Sequence, residues 1–363
     1  MTRVHPALAL ADTFCASFGL RIPILLAPMA GACPPSLSIA IAGAGGLGAC
    51  GAVAMQPEEI RGWAHEFRAA CRDGSFQMNL WIPETVAPVR DAAVEDAMRA
   101  FLGRWGPPVA ADAGEYSRPD FAAQCEALLE VGPAAISSIM GLYPAAFVDR
   151  LKARGIRWIA TATTVTEARL AVAAGADAVI AQGMEAGGHR GAFDGERAER
   201  ELVGLSALIP AIADAVSVPV IAAGGIADAR AVAAALILGA SAVQVGTGFL
   251  RSPEARLPSV WADALAATLP EQTLISRSFS GRPGRSLATA YVRAATAPGA
   301  PPPAAYPVQS GLTAAMRSRA SRENVLDGLS AWAGQSAARA RASPAAEVAR
   351  QLWEGTRALL EPA

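Results

Sequence analysis

Ile159–Gly183 reads IATATTVTEARLAVAAGADAVIAQG, and Val220–Gly248 reads VIAAGGIADARAVAAALILGASAVQVGTG. Each copy opens on a short β-prone run, turns, and starts a helix with an acidic-Ala-Arg triplet (Glu167–Arg169, Asp228–Arg230). It then passes through Gly-Ala (Gly175–Ala176, Gly239–Ala240) and ends in a second β-prone run. The runs are almost continuously apolar, the mark of parallel strands covered on both faces. Repeated strand–helix–strand units can go on adding strands around a circle, whereas a doubly wound open sheet must reverse its strand order. The repeat therefore predicts an α/β protein built as a closed (β/α)₈ barrel.

Outward from this repeat, the β-prone runs number eight: Ile24–Met29, Leu47–Val53, Phe76–Ile82, Ala135–Met140, Trp158–Thr163, Ala178–Gln182, Val218–Ala223 and Ala242–Val245. Between them, apolar positions recur at helical spacing in Pro57–Ala70, Pro144–Ala153, Val165–Ala174 and Asp228–Leu238. Such a barrel takes about 250 residues, so the 363-residue chain divides into a barrel over 1–255 and an extension over 256–363. The extension has helical patterns around Val260–Leu269, Thr313–Arg319 and Asn324–Ala340, broken by the Pro/Ala-rich Ala294–Ala305. It is expected to cover the barrel mouth rather than fold alone. Arg104–Pro119 reads as a Gly/Pro-rich insertion ahead of a helix at Phe121–Leu129.

Apolar residues make up 52% of the chain and charged residues 17%, which excludes a disordered protein. The net charge of −1, with Lys152 the sole lysine and no basic run, argues against a nucleic-acid partner. The five cysteines (Cys15, Cys33, Cys50, Cys71, Cys125) show neither C-x-x-C spacing nor nearby histidines, so they read as buried small hydrophobes in a reduced, cytoplasmic protein without a metal. Ile22–Gln56 carries no charge and is long enough to span a bilayer, but its prolines and glycines cut it into strand- and helix-sized pieces. A membrane partner is not expected, and the Ala7–Ala11 run is too short for a signal peptide.

In a barrel the ligand lies beyond the C-terminal strand ends. Strand seven runs into Gly224-Gly225, and strand eight ends Gln244-Val245-Gly246-Thr247-Gly248. Tight turning alone would also use glycine, but two consecutive strands ending this way suggest amides presented to a phosphate, helped by the helix that starts near Asp228. After strand six, Gln182-Gly183-Met184-Glu185-Ala186-Gly187-Gly188-His189 carries a histidine over the mouth. With an ordinary pKa near 6.5, that imidazole is the expected principal acid–base residue. Asn79, ending strand three, offers an amide for a ring edge or a phosphate-bearing chain, and Ala27-Pro28-Met29 gives a flat group backbone to pack on.

APMAG (27–31), MNL (78–80), ATATTVTEA (160–168), GADAVIAQGMEAGGHRG (175–191), AAGGI (222–226) and QVGTGF (244–249) together resemble the nitronate monooxygenases, formerly 2-nitropropane dioxygenases. FSGRPGRSLATAYV (279–292) and WAGQ (332–335) extend the resemblance towards the C-terminus. It implies a TIM barrel, non-covalent FMN, and O₂-dependent oxidation of nitronates, or of nitroalkanes, to a carbonyl compound and nitrite. Carried over, His189 matches the catalytic histidine. Asn79, Gln182, Gly187 with Gly188, Gly224 with Gly225, and Gln244 through Thr247 match flavin contacts, and Ala27, Pro28 and Met29 lie beside the ring. Strand four departs: it reads Ser137-Ser138-Ile139-Met140-Gly141 where many members carry aromatic residues or a histidine. Enoyl-acyl-carrier-protein reductases and NADH:quinone reductases share nearly the same histidine loop, so NAD(P)H-dependent reduction of an enoyl thioester or quinone is the alternative reading. The oligomeric state is left open.

Overall fold

The computed structural model describes residues 5–84, 89–115 and 118–361. Its strands are β1 (Ile24–Leu26), β2 (Leu47–Gly51), β3 (Ser75–Trp81), β4 (Ala135–Ile139), β5 (Arg157–Ala162), β6 (Ala178–Gln182), β7 (Gly188–His189), β8 (Val220–Ala223), β9 (Ala242–Val245), β10 (Thr273–Ser276) and β11 (Gly284–Leu287). All but β7, β10 and β11 form a closed parallel barrel, sealed where Leu25 of β1 lies opposite Gln244 of β9. Each of the eight expected runs overlaps one barrel strand, with β3 and β5 each beginning one residue before its run.

The repeat is real in the backbone, but in a different register from the acidic-Ala-Arg triplets. The helices Val165–Ala173 and Ala229–Ile237 are each nine residues long. They are N-capped by Thr164 (φ −140°, ψ 161°) and Asp228 (φ −143°, ψ 166°). Thr164 is thus the counterpart of Asp228, three positions before Glu167. The helix ends match as well, at Gly175 (φ 98°) and Gly239 (φ 109°), where only glycine is unstrained. Glu167 does something else: it accepts from Thr163 N and Oγ1 at 2.6 and 2.8 Å and from Phe193 N at 2.7 Å, tying the histidine loop to the end of β5.

Period-two alternation sorts each strand into an outer apolar face and an inner one. On β3, Phe76, Met78 and Leu80 pack outward against the helices, while Gln77, Asn79 and Trp81 take the other parity. The barrel interior is stratified. Its lower layer is apolar (Leu25, Leu47, Ile159, Ile180, Ile221) and is plugged by Phe14 and Phe18 of the helix Pro6–Phe18, to which the Ala7–Ala11 run belongs. Above it lie buried Gln77, Asn79, Ser137, Gln182 and Gln244. Gln77 Nε2 donates to Gln244 Oε1 at 2.9 Å and to the Leu26 carbonyl at 3.2 Å, which cross-links the polar layer, while Gln77 Oε1 is left without a partner among the described residues. Ile22–Gln56 folds as β1, the helix Pro35–Ala44 and β2, and no helix among the described residues is long and apolar enough to cross a membrane.

After β9 the chain makes a long excursion before the helix Ala345–Leu360, whose Val348, Leu352 and Trp353 are buried in the outer shell beside the helices Pro35–Ala44 and Ala229–Ile237. The excursion carries the helices Ser259–Ala267, Val308–Leu312 and Ala314–Glu323, plus the antiparallel pair β10–β11. The expected helix over 324–340 does not form. Two 3₁₀ turns, Leu326–Gly328 and Ala337–Arg339, flank an extended stretch in which Trp332 bridges Ser286. Leu329, Ala331 and Ala333 are buried there with the period of a strand rather than of a helix.

Candidate active site

A cavity of about 330 Å³ opens at the C-terminal strand ends, and every expected site residue except Val245 lines it. The exception follows from pleating: Gln244 and Gly246 face in, so Val245 faces out and is buried in the shell with Ala235 and Leu236. Its carbonyl still serves the site by accepting from Ala27 N at 2.9 Å. The Ala27–Met29 wall is held from behind by Cys33, whose thiol donates to the Met29 carbonyl (3.1 Å) and accepts from its amide (3.2 Å). Burial pushes that thiol up to about 11, so it serves as a brace and not as a nucleophile.

One end of the cavity is backbone. Gly224 (φ 117°) and Gly225 (φ 68°) stand in conformations that disfavour any side chain, and a Cβ on Gly224 would meet the Ala186 amide at 3.0 Å. The amides of Gly224, Gly225, Gly246 and Thr247 find no acceptor among the described residues. Unsatisfied donors converging on a cavity are costly unless water or a ligand meets them, and the natural ligand is an anion. The expected contribution of the helix after β8, the seventh strand of the barrel, is taken up elsewhere. Asp228 caps that helix, accepting from Ala231 N at 3.0 Å, and pairs with Arg230 and Arg339. The cradle is therefore made of loop amides.

The other end is side chains. His189 sits in β7, paired with Gly284 of β11, so the excursion holds the histidine loop in place. Its ring lies edge-on to Trp81 (4.6 Å between centroids) and tilted against Trp332 (4.7 Å), and its Nε2 is 2.7 Å from Ser280 Oγ. Burial, then the charges of Arg118, Arg282 and Arg317, push its pKa down to about 3. The ordinary value near 6.5 assumed from sequence is thus displaced, and the imidazole is neutral at physiological pH. Gln182 carries the loop: its Nε2 donates to the His189 carbonyl at 3.1 Å and its Oε1 accepts from Gly191 N at 2.7 Å, so both ends of this amide are already engaged. Asn79 donates to Ser137 Oγ at 3.1 Å, which is where the serines of strand four enter the site.

Trp81, Arg118, Ser280, Arg317 and Trp332 line the cavity yet were not anticipated. Trp81 was within reach, being two residues beyond Asn79 on the same strand face. The others come from elsewhere along the chain, Arg118, Ser280 and Trp332 from irregular stretches and Arg317 from the helix Ala314–Glu323. Arg118 stacks over Trp81 (4.6 Å) and Tyr306 (4.7 Å), and Arg282, paired with Glu84 at 3.1 Å, stands over Tyr306 at 5.6 Å.

The family model for nitronate monooxygenase matches residues 13–355. The chain belongs to the nitronate monooxygenase family. Members of this family are flavin-dependent oxidoreductases, and the chain is an enzyme of that kind acting on a small molecule. It is 40% identical to nitronate monooxygenase of Pseudomonas aeruginosa, over 96% of this chain and 100% of that protein. It is 38% identical to nitronate monooxygenase of Paraburkholderia phytofirmans, over 92% of each. Among solved structures it resembles nitroalkane oxidase from Streptomyces ansochromogenes (TM-score 0.84, 33% identity, 97% of this chain and 99% of that one). FabK from Thermotoga maritima is more distant (TM-score 0.74, 26% identity, 99% and 98% covered). The family membership fits the two-ended cavity: a backbone cradle at the end of β8 and β9, and a histidine set among cations opposite.

Proposed function

We propose that this chain binds FMN and oxidises small alkyl nitronates with O₂, releasing nitrite and a carbonyl compound. The observation that carries the reading is the His189 imidazole clamped between Trp81 and Trp332 in a cavity that Arg118 and Arg317 also line, with burial and cationic neighbours holding its pKa well below the ordinary value. Such an end attracts an anion and holds it without a counter-proton to trade. The opposite end suits the FMN phosphate, with the amides of Gly224, Gly225, Gly246 and Thr247 as donors. Ala27, Pro28, Met29, Asn79, Gly187, Gly188 and Gln244 would flank the rest of the cofactor, and Gln182 would position the loop beside it. When bound, FMN supplies the electron-accepting and O₂-reducing chemistry.

The chain's own residues select the substrate's protonation state. A nitronate has already lost its α-proton and arrives as an anion. A neutral nitroalkane needs a base, and an imidazole held at about 3 is a feeble one near neutral pH. His189 thus contacts the nitronate as a neutral N–H donor, and it serves as base only for the slower nitroalkane reaction, through the minor tautomer whose substrate-facing nitrogen is bare. Trp81 and Trp332, flanking His189, restrict the slot to small substrates and keep water from it. The same reading places the enzyme in the cytoplasm, in keeping with its free cysteines, and treats residues 256–363 as dependent on the barrel because β11 pairs with β7.

The test is direct. Flavin-loaded protein given a preformed nitronate, without nicotinamide, should consume O₂ and release nitrite. Rapid flavin bleaching by NAD(P)H with no nitronate turnover would replace this reading with a reductase.

A further inference from the structure

Ser280 belongs to the loop between β10 and β11, far in sequence from any barrel strand, yet its hydroxyl makes the one side-chain hydrogen bond of the His189 ring among the described residues. Three groups surround Ser280 Oγ: Arg282 N at 3.2 Å, the Arg282 carbonyl at 3.3 Å and His189 Nε2 at 2.7 Å. The Arg282 amide can only donate, so it occupies a lone pair of the hydroxyl. The single hydroxyl proton is then contested between the Arg282 carbonyl and Nε2. A separation of 2.7 Å is the usual length for an O–H donor and short for an N–H donor, whereas 3.3 Å is long for either. The proton goes to Nε2.

We propose that Ser280 is a positioning residue that donates its hydroxyl proton to His189 Nε2 and so fixes the ring as the Nδ1–H tautomer, turning a donor towards the bound nitronate. Nδ1 has no partner among the described residues and is not one of the sealed, unpartnered polar atoms, while the ring itself lines the cavity. In the neutral ring, a proton barred from Nε2 must sit on Nδ1. The result is a neutral N–H that can meet an anionic oxygen next to Arg118 and Arg317 without carrying a fourth positive charge into the cluster. The clamp of Trp81 and Trp332 keeps the ring from turning to exchange its nitrogens.

The proposal rests on nitronate as the ligand, but its first test does not. The chain has three histidines, so ¹⁵N-histidine labelling gives three imidazole signals, and His189→Asn identifies the one of interest. Long-range ¹H–¹⁵N correlation of the flavin-loaded enzyme at neutral pH should show His189 protonated on Nδ1 and bare on Nε2. Ser280→Ala should convert it to a mixture of tautomers, and Ser280→Thr, which keeps the hydroxyl, should restore the Nδ1–H form. A wild-type ring protonated on Nε2, or an Ala variant with an unchanged tautomer, overturns the proposal whatever the substrate. In turnover, Ser280→Ala should raise the nitronate KM about tenfold, the weight of one oriented hydrogen bond, and leave kcat within about threefold. Equal losses in both parameters would assign Ser280 to folding of the loop. Absence of nitronate turnover in the wild type would sink the proposed function while the spectra still decide the role of Ser280.

Discussion

The two ends of the cavity are built by different means. At the glycine end, four amides just beyond two consecutive barrel strands stand without acceptors among the described residues, and side chains are disfavoured by positive φ at Gly224 and Gly225. At the histidine end the functional atoms belong to side chains, and their carriers are scattered: Trp81 on β3, Arg118 after the 104–115 stretch, Ser280 and Arg282 between β10 and β11, and Trp332 in the extended run beyond. A backbone cradle tolerates change in neighbouring side chains but not in its own glycines. A side-chain cluster can be retuned one residue at a time. The first arrangement suits a cofactor that stays the same, the second a substrate that varies within a fold.

This contrast can be broken most forcefully at Gly224. Gly224→Val puts a β-branched residue at φ 117° with its Cβ at 3.0 Å from the Ala186 amide. Flavin affinity should fall on the order of a hundredfold, read by fluorescence titration, with the far-ultraviolet circular dichroism retained. Unchanged affinity would mean that the phosphate lies elsewhere. Next in size is His189→Asn, which keeps an N–H donor but no usable base. Nitroalkane turnover should drop about 10²-fold or more, while nitronate oxidation stays within roughly tenfold, as nitrite assays on separate stocks of the two forms would show. Equal losses on both with normal flavin content would assign His189 to anion holding alone.

A milder change at the same end is Arg118→Ala, expected to raise the nitronate KM about tenfold at low salt and less at high salt, without altering flavin affinity. A fall in flavin binding instead would merge the two ends into one. Folding lowers His189 from 6.5 to about 3. Between those values the unfolded chain binds a proton that the folded chain refuses, so the contribution to stability is whole above 6.5 and is lost as pH falls towards 3. Thermal melts should therefore show the wild type losing more stability than His189→Gln on going from pH about 7 to about 5. The smallest functional effect belongs to Val245→Ala, one residue from the cradle. Facing outward, it should cost about 2 kcal/mol of stability and leave flavin affinity alone.

How much of this was legible in the sequence follows the same division. Strands announce themselves by composition and period, and a cradle made of strand-end glycines can be read because its chemistry is the backbone's, fixed by position. His189 was legible because its loop is too glycine-rich for a core. Arg118, Ser280 and Trp332 were not, since nothing in a local window says that stretches about 70 residues before the histidine and about 90 and 140 after it meet beside it. The misread 324–340 stretch is the same failure in miniature: alternate burial of Leu329, Ala331 and Ala333 arises only because the chain lies extended between the excursion and the barrel mouth. Even the 3-residue offset in the repeat shows local likeness misleading, because Thr164 and Asp228 cap their helices alike while sharing no charge.

The division of labour itself comes down to one comparison of ligands. FMN and riboflavin differ only in the phosphate, so their dissociation constants for the wild type and for Gly224→Val isolate what the glycine end contributes. With charge-assisted bonds from several amides, FMN should bind the wild type at least about a hundredfold more tightly than riboflavin, and the variant should lose most of that advantage. Equal affinities of the wild type for the two flavins would contradict the account.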